Sequence, residues 1–310
     1  MTLLGARRSV ARLDWGHRVS ERKDHIDAFG AVSLVGVSLI LGFNQVVIKL
    51  VNAGIQPVFA AGLRSLGAMI LLFLWMRYRG AAPVFLRAAL VPGLICGALF
   101  AIEFILMFVA LDLTSVAHVS LMFYSMPVWL AIMAHLFIPG ERISGRKATG
   151  LVLAFAGVAL ALLDDGGGAV SLTGDLMALI GAVCWAGIAL IARVTAFSRV
   201  APPMQLFWQV SVSAPLLLLA ALGFGPLIRE LEMIHVTGLV FQIVIVVTGT
   251  FMFWFWLLKR YPAAGVASFS FLAPVFGVAF GWLLLGEQVG LNLLGALVLV
   301  AVGLILINRA

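Results

Sequence analysis

The sequence predicts an all-α membrane protein, with ten transmembrane helices forming two inverted five-helix repeats around a central cavity. Three observations lead there. First, 63% of the 310 residues are hydrophobic and 11% are charged, whereas a soluble domain is about 45–50% apolar and about 25% charged. Such a chain cannot clothe a globule in polar surface, so lipid is its natural solvent. Second, apolar runs long enough to cross a bilayer recur along the chain. Third, the basic residues alternate between successive breaks in those runs, as they do when one side of a membrane retains Lys and Arg.

The elements follow in order. Residues 1–27 form a polar arm holding Arg7, Arg8, Arg12, Arg18, Arg22 and Lys23. It reads as a cytoplasmic arm and not as a secretory leader, because the apolar segment after it exceeds an h-region and carries no A-x-A cleavage pattern. Apolar stretches then define spans near 28–51, 57–77, 87–111, 114–138 and 146–163. After the Gly166-Gly167-Gly168 turn come 172–196, 203–222, 235–258, 262–285 and 290–307. Pro139-Gly140, Pro202-Pro203 and Gly225-Pro226 mark further breaks.

With the N-terminus inside, seventeen of the twenty Lys and Arg fall in the six inner segments, and Arg229 alone falls in an outer loop. Asp112, Asp164, Asp165, Asp175, Glu230, Glu232 and Glu287 fall outside. A count wrong by one span would scramble this alternation, so the expectation is a multi-pass plasma (inner) membrane protein with both termini cytoplasmic. The net charge of +7 is then topological and does not point to nucleic acid. Cys96 and Cys184 fall inside spans and read as small hydrophobes, not as a disulfide or metal pair.

The halves 28–163 and 172–307 resemble one another. Pro127-Val128 recurs as Pro274-Val275 147 residues later, and Gly140-Glu141 as Gly286-Glu287 146 residues later. Leu41-Gly42 with Lys49 matches Trp185-Ala186 with Arg193 at the same internal spacing, and Pro57 and Pro203 each open the second span of their half. Five is odd, so the second half enters the membrane from the opposite side. Inverted repeats place a solute site near the midplane, where one half can rock against the other. That symmetry points to a transporter more than to a scaffold or receptor.

A family resemblance rests on these residues. They are Leu41-Gly42-Phe43-Asn44 with Lys49, Pro57 with Gly62-Leu63-Arg64, Pro127 followed by Gly140-Glu141, Trp185-Ala186, and Pro274 followed by Gly286-Glu287. In this order, from residue 28 to 307, they resemble the EamA-type members of the drug/metabolite transporter superfamily, and among these the exporters of aromatic amino acids. The resemblance implies a basket of ten helices with a central cavity lined by spans one, three, four, six, eight and nine. Leu41 departs from the family pattern, which often has Trp there, and this loosens a substrate-stacking role on span one.

Candidate site residues come from depth. An ionisable group at span centre costs about 2.5–3.5 kcal/mol on insertion scales, so each is a functional candidate. Glu103 lies about 12 Å below the outer end of span three at helical rise, and Arg64 lies in the same half. A Glu103–Arg64 or Glu103–Lys49 pair that only holds helices together is the bland alternative. Lys49 is near enough to the surface to snorkel. Asn44 and Gln45 share that depth, but neighbours diverge by about 100° around a helix, and Asn44, within the family motif, is the chosen one. His118, Met122, Ser125 and Trp129 form one stripe on span four, and His118 titrates near neutral pH, although a histidine near a membrane surface is ordinarily solvated.

Trp75, Trp208, Trp254, Trp256 and Trp282 lie toward span ends, where rings anchor. Trp185, near the bilayer middle, is the candidate for stacking an apolar or aromatic solute. Tyr124 and Gln242 share the depth. Pro127 and Pro274 are candidate hinges. The substrate set is therefore Asn44, Glu103, His118, Tyr124, Trp185 and Gln242, with Arg64, Pro127 and Pro274 in structural or hinge roles.

An exporter of amino acids and related metabolites fits best, because a zwitterion needs an acceptor for its ammonium and donors for its carboxylate. Exchange of phosphorylated solutes would want clustered cations and finds Lys49 and Arg64. A membrane-embedded enzyme would need an intramembrane catalytic constellation. His118 and His135 are about 25 Å apart along one span, and neither an HExxH spacing nor a Walker loop is present. No catalytic residue, cofactor or metal is expected. A proton on Glu103 or His118 is the candidate coupling ion, and the oligomeric state is left open.

Overall fold

The computed structural model describes residues 23, 25–80, 86–164, 170–262, 266, 269 and 271–308. The arginines of the N-terminal arm, Asp165, the triple-glycine turn and Arg309 lie outside the described residues. Those described form ten successive helical rods and no β-strand. They are α1 (Ala28–Gly54), α2 (Pro57–Tyr78), α3 (Leu90–Leu113), α4 (Val116–Phe137) and α5 (Gly145–Leu162) in the first half. The second half holds α6 (Leu172–Val194), α7 (Pro202–Ala221), α8 (Met233–Arg260), α9 (Leu272–Leu285) and α10 (Leu291–Asn308). The first eight are long and apolar enough to cross a membrane, and the last two are shorter apolar helices.

Side-chain caps set many of the boundaries. Ser115, Ser144 and Ser171 accept from the backbone N–H three residues on, at the starts of α4, α5 and α6, which satisfies donors a helix N-terminus leaves open. Gln56 does the same for α2, with Pro57 at the first helical position. Asp27 caps α1, accepting from Gly30 N at 2.8 Å, from the Tyr261 hydroxyl at 2.7 Å and from Lys23. Those donors, Lys23 first, hold its carboxyl well below the usual carboxylate range. The start of α1 is thereby tied to the end of α8.

Two rods are interrupted. In α4 the helix breaks at Tyr124-Ser125, just before Pro127. Proline lacks an N–H and its ring clashes with the carbonyl four residues back. The chain turns instead through Tyr124 N to Ser120 O and Val128 N to Ser125 O, with Ser125 Oγ donating to Met122 O. Pro274, its repeat partner, falls in the first turn of α9, where a missing N–H breaks no bond within that helix. The expected mid-helix kink at Pro274 is replaced by a separate turned approach, Val266 N to Pro262 O and Leu272 N to Phe269 O. In α8 a π-helical stretch runs over Gln242–Thr250, and Thr248 and Thr250 donate back to the carbonyls of Ile243 and Ile245.

The packing shows how the halves relate. α5 packs on α10, α2 on α7 and α4 on α9, each helix against its own repeat counterpart. α1 on α9 is matched by α6 on α4, α3 on α6 by α8 on α1, and α3 on α7 by α8 on α2. Exchanging first and second halves returns these six kinds of pairing, as a two-fold axis would. With five helices per half, that axis inverts the repeats.

Apolar side chains such as Val32, Phe73, Val91, Val152, Leu219 and Val298 are exposed on the outer faces, while Asn44, Gln45, Arg64, Glu103, His118 and Gln242 are buried. The polar groups thus sit inside and the apolar ones face outward, as lipid solvent requires. Trp208 departs from the expected interfacial anchor: it is buried, and its ring lies where a Cβ on Gly93 of α3 would collide.

Candidate functional site

Asp112, Asp164, Asp175, Glu232 and Glu287 gather at one end of the bundle, the acidic end; Arg77, Arg142, Arg193, Lys259 and Arg260 gather at the other, the basic end. Between them lies a polar layer. By helical rise, Asn44, Arg64, Glu103, Tyr124, Trp185 and Gln242 all fall about 10–20 Å below the acidic end, on six different helices. All but Trp185, which is half-buried, are under a tenth exposed, so the layer is occluded from both ends.

The layer is wired as follows. The Arg64 guanidinium carbon lies over Phe104, 3.8 Å from the ring centre, and 5.0 Å from that of Phe108. It feels the charge of Glu103, yet no nitrogen–oxygen contact under 4 Å closes the pair among the described residues. The simple helix-holding salt bridge considered from sequence is therefore not formed. Arg64 Nε and Glu103 Oε2 are buried without a hydrogen-bond partner, as are Asn44 Oδ1, Gln45 Oε1, Ser65 Oγ, Ser120 Oγ and both amide atoms of Gln242. Buried polar atoms are ordinarily paired, so this many in one layer marks groups available to something else.

An aromatic wall stands beside them. Trp185 stacks on Phe123 with centroids 5.1 Å apart and meets Tyr124 edge-on at 6.1 Å. The α4 break delivers both rings. Tyr124 also donates to Leu41 O at 3.4 Å, so it touches α1 at the repeat counterpart of Trp185. Gly181, one turn before Trp185, has the Phe123 ring on one side and the Glu103 backbone on the other. Glu103 therefore borders the same wall. Gln242 starts the π stretch of α8, and Ile243 beside it rests on Gly67 of α2, one turn from Arg64.

Sequence reading chooses Asn44 over Gln45, but the structure buries both and leaves the amide oxygen of each without a partner. Phe123, Ser65 and Ser120 were missed; each neighbours a chosen residue or lies one turn from it, which was the available signal. Trp129 leaves the layer, donating to Ser125 and packing on Phe155 of α5. His118 lies about 9 Å nearer the acidic end than Tyr124 by helical rise, its ring between Asp175 and Asp164.

Each end carries an ion pair related to the other by the repeat. Lys49 reaches up to the acidic end: its ammonium donates to Thr114 O at 2.5 Å and lies 3.7 Å from Glu287. Glu287 also accepts from Val116 N at 2.7 Å and Ala117 N at 3.1 Å, capping α4 from the opposite half. At the basic end the counterparts pair, Arg193 with Glu141. Both glutamates follow a left-handed glycine, Gly140 at φ 89° and Gly286 at φ 66°, a conformation other residues adopt at a cost. Outside these, Arg229 forks onto Asp112 at 2.8 and 2.9 Å, which raises its pKa.

The chain matches the EamA-like transporter family over residues 28–163 and again over 172–309. It is 31% identical to the "Probable amino-acid metabolite efflux pump" of Escherichia coli (strain K12), over 89% of this chain and 93% of the relative. It is 27% identical to the "Uncharacterized transporter YoaV" of Bacillus subtilis (strain 168), over 86% of this chain and 93% of that one. One solved crystal structure, 21% identical, superposes with a TM-score of 0.61 over 89% of this chain and 96% of that chain, a likeness of fold. A doubled family match, falling on two halves whose helices pack in matching pairs, leaves one placement: this protein is a member of the EamA-like transporter family, within the drug/metabolite transporter superfamily.

Proposed function

We propose that the protein is a secondary transporter that exports amino acids with aromatic or other apolar side chains, and related small metabolites, by alternating access. The observation that carries this reading is the unclosed Arg64–Glu103 pair beside the Phe123–Trp185–Tyr124 wall. Arg64 offers a planar donor for an α-carboxylate, Glu103 an acceptor for the ammonium, and the amides of Asn44, Gln45 and Gln242 the remaining bonds. An apolar side chain then stacks on Trp185. The name of the E. coli relative, a probable amino-acid metabolite efflux pump, supports the same substrate class.

Matched interruptions in α4 and before α9, with matched ion pairs at the two ends, suit a machine that opens one end while closing the other. The positive-inside pattern favours a plasma-membrane setting with the basic end and both termini in the cytoplasm. A phosphorylated substrate would want several cations, and among the described residues the layer holds Arg64 alone.

The test is efflux of radiolabelled phenylalanine, leucine, lysine and glutamate from proteoliposomes, with and without a pH gradient. Phenylalanine and leucine should leave faster than the charged pair, and Glu103→Gln should abolish their flux while the protein still elutes as one folded species. Equal rates for all four, or full flux in Glu103→Gln, would remove this site.

A further inference from the structure

Nearer the acidic end lies a second buried cluster that the polar layer does not use. His118 Nδ1 stands 2.9 Å from Asp175 Oδ2, and its Nε2 3.5 Å from Asp164 Oδ2. The three side chains are 1%, 2% and 7% exposed. Thr114 Oγ1 donates to the other Asp175 oxygen at 2.9 Å. The imidazole thus meets an acceptor at each nitrogen. A neutral ring has one N–H and satisfies only one of them; its second nitrogen would set a lone pair against a carboxylate. The arrangement is complete only with one additional proton, on the ring or on a carboxyl.

The surrounding charges reinforce the point. Lys49 from α1 and Glu287 from the α9–α10 turn are the other ionisable groups tied to this region, through Thr114 and the start of α4. Arg229 and Asp112 nearby neutralise one another. Among the described residues, that leaves Asp164, Asp175 and Glu287 against Lys49 before the extra proton is counted. The cluster joins α4, the end of α5 and the first turn of α6, and so holds the acidic end shut.

The repeat shows that this cluster is more than scaffolding. Lys49 and Glu287 have counterparts in Arg193 and Glu141, which pair at the other end. His118 and Asp175 have none: the equivalent positions, 147 residues on and 144 back, are Gly265 and Ala31. One end of a symmetric machine carries the group, and the other does not.

We propose that Asp164, His118 and Asp175 form a proton-binding latch that closes the acidic end. The closed end holds one proton more than the open end, where the ring meets water and titrates near neutrality. Closure is therefore favoured at low pH and lost as pH rises. The purpose of the latch rests on the transport reading, with the proton as a second ligand of the same cycle. Its test does not.

In a chain with Cys96 and Cys184 replaced by alanine, Met122→Cys places a thiol one turn below His118, at a fully buried position. A membrane-impermeant maleimide is added to intact cells across pH, and the rate is divided by that of Met233→Cys, 75% exposed at the same end, which corrects for thiol reactivity and orientation. One linked proton shifts a two-state equilibrium by up to about tenfold per pH unit. The normalised rate should rise at least about tenfold from roughly pH 5.5 to 8. His118→Gln should label fast at every pH, and Asp175→Asn should flatten the profile; the second carries the test if the first does not fold. A flat profile with His118 intact, or an unchanged one in the variants, overturns the latch. Normal labelling without amino acid flux would instead remove the transport reading and leave the latch in place.

Discussion

Arg64 is held in an unusual way for a cation inside a membrane. Its guanidinium carbon lies over the Phe104 and Phe108 rings, and Glu103 stays within reach of its charge without bonding to it. Cation–π contact keeps the guanidinium in place while leaving its edge free. Lysine carries a compact ammonium that neither stacks flat nor forks onto a carboxylate. Arg64→Lys should therefore fold but raise the KM for amino acid export roughly ten- to a hundredfold, the scale of a charged hydrogen bond, as read from concentration-dependent efflux. Trp185 tests the other pole of the substrate. Removing its ring forfeits an aromatic pair worth about 0.5–1.5 kcal/mol, so Trp185→Ala should slow phenylalanine efflux about three- to tenfold relative to alanine efflux, and Trp185→Phe should restore most of the preference. Equal losses for both substrates would mean that the ring only packs helices.

At the scale of elements, the two ion pairs differ in what surrounds them. The Glu287 side chain is 9% exposed and accepts two backbone donors at the start of α4 besides meeting Lys49, whereas Glu141 and Arg193 are a third to a half exposed. A charged cap on a helix N-terminus is worth about 1–2 kcal/mol, and an exposed pair about 0–1 kcal/mol. Glu287→Gln should lower the melting temperature in detergent clearly, and Glu141→Gln barely; the reverse order would mean that the basic end, not the acidic one, is the tighter seal. Asp27 ties α1 to α8 through Tyr261 and Lys23. Its carboxyl is held below the usual range, so its contribution is present above that range and lost only as pH falls far beneath it. The stability deficit of Asp27→Asn should therefore stay constant between about pH 5 and 8. The helix ends were legible because serine caps, proline and glycine act locally. The π stretch in α8 was not, because Thr248 and Thr250 bonding five residues back is a choice that neighbouring helices make.

For the whole molecule, what the sequence revealed was set by distance along the chain. Depth counting found Glu103, Arg64, Trp185 and Gln242, since depth is a one-dimensional property of a span. It could not find the partners of His118, which lie 46 and 57 residues away, nor that Lys49 donates to Thr114 O, 65 residues away. The alternation of charge, by contrast, is a property of the whole chain, and it makes a sharp demand. Tyr78 and Leu222 end α2 and α7, are 144 residues apart, and are 88% and 69% exposed. They are the same place in two copies of one fold. Five membrane crossings separate them, so they should stand on opposite sides. In a cysteine-free background, Leu222→Cys should react with an impermeant thiol reagent on intact cells, and Tyr78→Cys only after the membrane is opened. An even number of crossings would put both thiols on one side, and no two-fold axis in the membrane plane could then relate the halves. The shared central layer between the two ends depends on that odd number.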